Sequence, residues 1–291
     1  KEQGIYYTPD FIVDYIVKNA LKPVLDKCKS VNDLKKIKVL DPACGSGSFL
    51  IKALNIIYDK YKEFGNTSDE STVKLTILTE NIYGVDLDGQ AVEIAQLNLL
   101  INALHKRQKF PRLNHIKNGN SLISGTDKEL QKYFGKNYRD KKSFNWQEEF
   151  PEVFAQGGFD VIIGNPPYIK EFVNKSVFDG LHNSPYYQGK MDIWTMFGCV
   201  AIDLLKKSGI LSFIAPNNWI SNAGASIFRN KILKDGELKT FIDFGDYKVF
   251  KDAGETGLID VQINGELKPS LIHNVQHDYL HNPLHADFFQ V

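Results

Sequence analysis

Short, continuously apolar runs alternate along the chain with longer stretches of helical period, a pattern that predicts a parallel sheet covered on both faces. Residues 37–41 form the first predicted strand, followed by a Gly/Ser turn and a helix over 49–62. A polar loop at 65–71 precedes a second strand at 81–86. The helix after it carries Ala91, Ile94, Ala95 and Asn98 on one face, and 115–120 ends a third strand. The segment 125–156 is polar and aromatic without a clean period, as expected of an insertion on the rim of the sheet. A fourth strand at 159–164 is followed by a loop over 169–190, a helix over 192–207 and a fifth strand at 210–215. Trp194, Trp219 and Phe213 are expected to build core around that strand. Later strands fall at 240–244 and, with alternating polarity, at Ile259, Val261 and Ile263. There is no internal repeat and no low-complexity tract.

At 291 residues the chain can bury one large α/β core with a small appendage. Lys plus Arg balance Asp plus Glu at 35 each, so no global basic field advertises a polyanionic partner. Local excesses occur at Lys106, Arg107, Lys109 and Arg112 and again between Lys132 and Lys142, and solvated loops account for either equally well. The three cysteines, Cys28, Cys44 and Cys199, have neither metal-ligand nor redox spacing, which suits a reducing compartment. No signal peptide is visible, and no apolar run approaches the ~20 residues of a membrane span. A soluble, cytoplasmic protein with no membrane partner is therefore expected. Because the chain opens on Lys1, a piece of something longer is expected too.

Between the first strand and its helix stands Asp41-Pro42-Ala43-Cys44-Gly45-Ser46-Gly47-Ser48-Phe49. This is the position where an open parallel sheet binds its ligand. Gly45 and Gly47 permit a tight turn and bring backbone amides close to a ligand. A third glycine for a dinucleotide fingerprint would fall at Leu50, which disfavours pyrophosphate. Asp41 at the strand tip would repel a pyrophosphate and attract an ammonium group. Asp86 ends the next strand, where a carboxylate can accept both hydroxyls of a ribose, or else merely cap the following helix. Asn120, at the tip of the third strand, can hydrogen-bond an adenine amino group or simply serve a turn.

The most informative stretch is Asn165-Pro166-Pro167-Tyr168, directly after a buried strand. Consecutive prolines cannot continue a central strand, so the backbone stiffens where it leaves the sheet. Pro167 also biases Pro166 towards an extended conformation and so fixes its carbonyl. The Asn165 side-chain oxygen and that carbonyl make two acceptors on a rigid frame. Taking both protons of an aromatic amino group, they favour a more tetrahedral nitrogen and stabilise the charge that develops as it attacks an electrophilic methyl. Tyr168 offers a ring on which an extruded base can stack, worth about 1–3 kcal/mol.

Together these residues resemble the amino-methyltransferases of DNA restriction–modification systems. The adenine-N6 members with the cofactor motif ahead of the catalytic one carry a Tyr-Thr-Pro helix start, an Asp-Pro-Ala-Cys-Gly-Ser-Gly loop and Asn-Pro-Pro-Tyr. All stand here in that order, as Tyr7-Thr8-Pro9, residues 41–47, and Asn165 to Tyr168, and the similarity runs over 4–265. Thr8 as N-cap with Pro9 at the first helical position also makes local sense. The resemblance implies a doubly wound, Rossmann-like α/β fold with a mostly parallel seven-stranded sheet and a reversed C-terminal hairpin. It implies S-adenosylmethionine as cofactor, held by Tyr7, Thr8, Asp41, Pro42, Ala43, Cys44, Gly45, Gly47, Asp86, Leu87, Asn120 and Ser121. Catalysis falls to Asn165, Pro166, Pro167 and Tyr168, on an adenine flipped out of double-stranded DNA, with Phe250 supporting the base opposite Tyr168. A catalytic domain over 1–266, opened by a cofactor-contacting helix within 1–22, would be followed by a tail over 267–291.

The match also departs from the family. Asp260 lies in the last strand, where relatives are apolar, so that edge is expected to be irregular. Members continue into a target-recognition domain, and many are fused to a nuclease. A recognition domain or specificity subunit, and a nuclease domain or subunit, are thus the implied partners. Methyl transfer to cytosine N4, to guanine N2 in RNA or to glutamine N5 in protein remains open, as does a catalytically silent fragment that binds DNA or a subunit. Cys44 is expected to be a packing residue, not a nucleophile. No metal is expected: His273, His277, His281 and His285 are four residues apart, but Pro283 breaks the helix that would align them.

Overall fold

In the computed structural model, residues 7–104, 111–245, 249–250, 256–263 and 289–290 are described below. The basic residues 106, 107 and 109 and the four tail histidines lie outside them. The chain forms two units, 10–164 and 165–291, the second joined by residues 1–9.

The apolar runs of the first unit become strands β1 (Val39–Asp41), β2 (Ile82–Asp86), β3 (Ile116–Asn118) and β4 (Phe159–Gly164). β1 pairs in parallel with both β2 and β4, and β2 pairs in parallel with β3, giving the order β3-β2-β1-β4. The chain thus leaves β1 towards β2 and returns on its other side as β4. The two directions part at the C-terminal ends of β1 and β4, the switch point where such sheets take their ligands. All of β1 and β4 is buried, which explains runs without polar alternation.

Around this sheet lie α1 (Asp10–Leu25), α2 (Val31–Lys36), α3 (Ser48–Glu63), α4 (Glu70–Glu80) and α5 (Gly89–Ala103). α1 begins at Asp10, so Thr8 lies one residue too early to be its N-cap; its hydroxyl serves another purpose, described below. The loop expected over 65–71 stops short, because Asp69 caps α4 by accepting from the Thr72 amide. On α5 the buried positions are Val92, Ala95, Leu99, Leu100 and Ala103, while Ile94 is half exposed. The expected face through Ile94 is therefore wrong. Its polar residues Gln90, Glu93, Gln96, Asn98 and Asn102 are spread round the helix, so period alone does not select a side; Ala95 does, by packing where a Cβ on Gly47 would come within 3.3 Å.

Between β3 and β4 the chain forms α6 (Asp127–Phe134), a 3-10 stretch, and the single turns α7 (Trp146–Glu149) and α8 (Pro151–Phe154). Thr126 and Glu129 close a capping box on α6. Phe144, Trp146 and Phe150 are buried and meet one another and Phe159 edge-on or tilted, so this segment contributes an aromatic layer to the core.

In the second unit, α9 (Trp194–Leu204) leads into β5 (Leu205–Pro216), α10 (Ser226–Asp235), β6 (Glu237–Asp243) and β7 (Thr256–Gln262). The helix is shorter than the expected 192–207, since the strand takes over at Leu205. β7 lies antiparallel between β5 and β6, the reversed hairpin the resemblance implied, and a two-residue strand β8 (Phe289–Gln290) pairs with β6. Asp260 is thus on a central strand, not an edge. Ser212 donates to its buried carboxylate, and the register of β6 slips between Leu238 and Thr240 beside it. The irregularity is real, but it belongs to the middle of the hairpin. Trp194, Trp219 and Phe213 are buried, and both indoles meet Phe228 edge-on. No helix among the described residues is long and apolar enough to cross a membrane.

Candidate functional site

At the end of β1 the backbone turns through Gly45 at φ +52° and Gly47 at φ +86°. Both values lie where a side chain is disfavoured. A Cβ built on Gly45 would meet nothing within 4 Å, so the turn is open on that side, as a cradle for a ligand requires. The Gly47 amide donates to the Cys44 carbonyl at 2.8 Å and starts α3 without a side-chain cap, leaving a positive helix terminus at the loop. Cys44 is buried; its amide donates to Val85, burial pushes its thiol well up, and its sulfur packs 3.1 Å from where a Gly84 Cβ would stand. Packing, not reactivity, is its role.

Asp41 is 1% exposed. One carboxylate oxygen accepts from the Ala43 amide at 3.0 Å, and burial raises the group to about 8, with the nearby Asp86 charge adding to the rise. Gly164, the last residue of β4, leaves room for it: at φ +155°, a Cβ there would fall 2.7 Å from Asp41 Oδ1. This close approach of strand to carboxylate has no signal in the sequence beyond the glycine itself. Asp86 accepts from the Gly45 amide at 2.8 Å and the Asp88 amide at 2.9 Å, so it ties the tip of β2 to the glycine loop. Burial pushes its pKa up while those two amides pull it back. The cap of α5 is Asp88, not Asp86. Each Asp86 oxygen keeps a second lone pair for a ribose hydroxyl.

Leu87, next along, is 54% exposed, an apolar face beside the Asp86 carboxylate on which a nucleobase can rest. Its carbonyl accepts from Asn118 and Lys142. Asn120 Oδ1 accepts from the Leu122 amide at 3.1 Å, so it serves the turn and keeps a second lone pair. Ser121 is buried and donates to the Pro42 carbonyl at 2.6 Å, fixing the glycine loop from the far side. A carboxylate for an ammonium, a carboxylate for a ribose, an open glycine turn and an exposed apolar ledge match the parts of S-adenosylmethionine, so the residues present fit that group.

The Asn165-Pro166-Pro167-Tyr168 tetrapeptide belongs to the second unit. Asn165 donates through Nδ2 to Thr8 Oγ1 at 3.0 Å, which sets its carboxamide plane with Oδ1 on the opposite side. Thr8 is 4% exposed, so that support is shielded from water. Tyr7, its neighbour, is 73% exposed. The Tyr168 hydroxyl donates to the Ile214 carbonyl of β5 at 2.9 Å, holding the ring at its outer end. Tyr168 and Phe250 do meet, but edge to face, with centroids 6.2 Å apart and planes at 67°. Phe250 is buried, so the two rings form a T-shaped pair and not two parallel walls of an open slot. Asp192, which sequence reasoning passed over, is buried just beyond the tetrapeptide; burial lifts it to about 6, against the pull of the Ile169 and Trp194 amides.

Residues 80–250, more than half of the chain, match the Eco57I restriction-modification methylase family, and residues 32–121 match an RMKL-like methyltransferase domain. The type II restriction enzyme and methyltransferase RM.Eco57I of Escherichia coli is 30% identical over 284 residues, covering 86% of this chain and 27% of its own length. The adenine-specific methyltransferase PglX of Streptomyces coelicolor is 26% identical over 185 residues, covering 58% of this chain and 15% of its own length. The chain therefore spans about a quarter of the length of the first of these relatives and less of the second. Among solved structures, a nuclease-deletion mutant of the type ISP restriction-modification enzyme LlaGI with a DNA substrate mimic superposes with a TM-score of 0.62 at 17% identity. That match covers 90% of this chain and 23% of the other, and it establishes the shared fold.

Proposed function

The chain belongs to the Eco57I restriction-modification methylase family, and from that premise we propose that it methylates N6 of an adenine flipped out of double-stranded DNA. The observation that carries the reading is the Asn165 carboxamide, oriented by buried Thr8 at the head of a stiff Asn-Pro-Pro-Tyr. Asn165 Oδ1 and the Pro166 carbonyl accept the two amino protons, and Tyr168, pinned at its hydroxyl and backed by the edge of Phe250, stacks on the base. In the first unit, Asp41 faces the ammonium of the cofactor, Asp86 takes the ribose hydroxyls, and Leu87 underlies the adenine ring. S-Adenosylmethionine, when bound, supplies the electrophilic methyl. No strong base is needed, because the rate comes from alignment and from acceptors fixed in advance.

The partners are duplex DNA and a target-recognition domain or specificity subunit, with a nuclease domain or subunit as a further one. The relatives named adenine-specific support N6 over cytosine N4. The test is titration calorimetry of S-adenosylmethionine into wild type and Asp86→Ala, with nucleoside analysis of methylated mixed-sequence DNA for wild type and Asn165→Ala. N6-methyladenine made by wild type but not by Asn165→Ala is the expected result. N4-methylcytosine in its place would overturn the base assignment, and no cofactor binding by folded wild type would overturn the reading altogether.

A further inference from the structure

Beyond the tetrapeptide the chain makes a tight turn: the Val173 and Asn174 amides both donate to the Lys170 carbonyl, at 2.9 and 3.2 Å. Phe172 and Val173 sit at its tip, 73% and 71% exposed. Two adjacent large apolar side chains in water are a cost that folding does not explain, since neither joins the core. The turn is also held firmly. The backbone of Lys170 pairs antiparallel with that of Asp192, the Glu171 amide donates to the Met191 carbonyl at 2.9 Å, and the Ile193 amide donates to the Ile169 carbonyl at 3.0 Å. The Glu171 carboxylate is turned back to accept from the Tyr187 hydroxyl and the Lys190 amide. What the tip presents is therefore apolar and positive: Lys170, Lys175 and Lys190 are exposed, and the Lys170 ammonium lies 5.9 Å from the centre of the Phe172 ring.

A stiff apolar tip flanked by lysines complements one kind of surface, a stack of bases between two phosphate backbones. Its place in the chain adds a second argument. Phe172 stands four positions after Tyr168, so their Cα atoms lie at most about 14 Å of extended chain apart. An adenine that leaves a duplex leaves a gap, and closing that gap offsets part of the unstacking cost. Resting on the function proposed above, we propose that Phe172 and Val173 form a wedge that enters the duplex at the target base pair and holds open the space the flipped adenine vacates, with Lys170 and Lys175 on the flanking phosphates.

The double variant Phe172→Ala/Val173→Ala tests this in the full chain. Both side chains are exposed, so the fold and S-adenosylmethionine affinity are retained. The DNA probes are two synthetic duplexes bearing the site at which sequencing of methylated plasmid finds N6-methyladenine. One has the target adenine paired with thymine; the other has it opposite an abasic position, where it is already loosely stacked. The wedge predicts a fall in kcat/KM of roughly tenfold or more on the paired duplex, and recovery to within about threefold of wild type on the abasic one. Equal activity of variant and wild type on the paired duplex overturns the wedge. An equal loss on both duplexes overturns it too, and assigns the tip to docking of a recognition domain. If sequencing finds no N6-methyladenine in plasmid treated with wild type, the function reading itself falls and the wedge with it.

Discussion

Asp41→Asn isolates the most unusual electrostatic feature of the molecule. In the free protein the buried Asp41 carboxyl is raised from 3.8 to about 8, chiefly by loss of solvent. A group whose folded pKa lies above its unfolded value holds an extra proton in the folded state throughout the window between the two. Its stability contribution is complete below about pH 4 and is lost progressively as pH rises to about 8, at close to 1.4 kcal/mol per unit. Asparagine mimics the protonated side chain: its oxygen can still accept from the Ala43 amide, and it does not titrate. The variant should therefore match wild type below about pH 4, and gain relative to wild type by roughly 3–4 kcal/mol between about pH 5 and pH 8. That figure is an upper bound, because relaxation and water entry around the ionised group reduce it. Urea unfolding of both proteins at the two pH values measures it, with the titrating groups that do not interact with Asp41 cancelling in the difference. A difference between variant and wild type that does not change with pH would refute the reasoning. The same variant should lose affinity for S-adenosylmethionine, so that stability and binding move in opposite directions at high pH, as expected of a carboxylate kept for a cationic ligand.

Two further outcomes follow from the geometry. Gly164→Ala places a Cβ 2.7 Å from Asp41 Oδ1 at a backbone φ of +155°; it should cost about 3 kcal/mol, read as a lowered midpoint in thermal unfolding, and an unchanged midpoint would show that β4 and Asp41 can separate freely. Thr8→Val removes the acceptor for Asn165 Nδ2; kcat for DNA methylation should fall roughly 10–100-fold with cofactor affinity retained, while Thr8→Ser preserves the rate. A loss of cofactor binding in Thr8→Val with kcat intact would instead return Thr8 to the cofactor pocket alone.

The sequence by itself determined β1, β2 and β4, because buried parallel strands must be continuous apolar runs and few other segments of this chain are. It also carried both chemical centres, since a Gly-x-Gly turn after a strand and an Asn ahead of two prolines are constraints on the backbone within a few residues. Tertiary structure decided whatever depended on a partner distant in the chain. Which face of α5 is buried was undetermined by a helix whose polar residues lie all round it, and Ala95 against Gly47 settled it. Asp88 rather than Asp86 caps that helix, because the Asp86 carboxylate is drawn back to the Gly45 amide 41 positions earlier. Thr8 looked like a helix cap and is instead the support of Asn165, 157 positions away. Asp260 looked like a fault on an edge and lies in a central strand with Ser212 as its donor. Local propensity and period are written in neighbouring residues; the choice among several satisfactory hydrogen-bond partners is made only when folding brings distant ones within 3 Å.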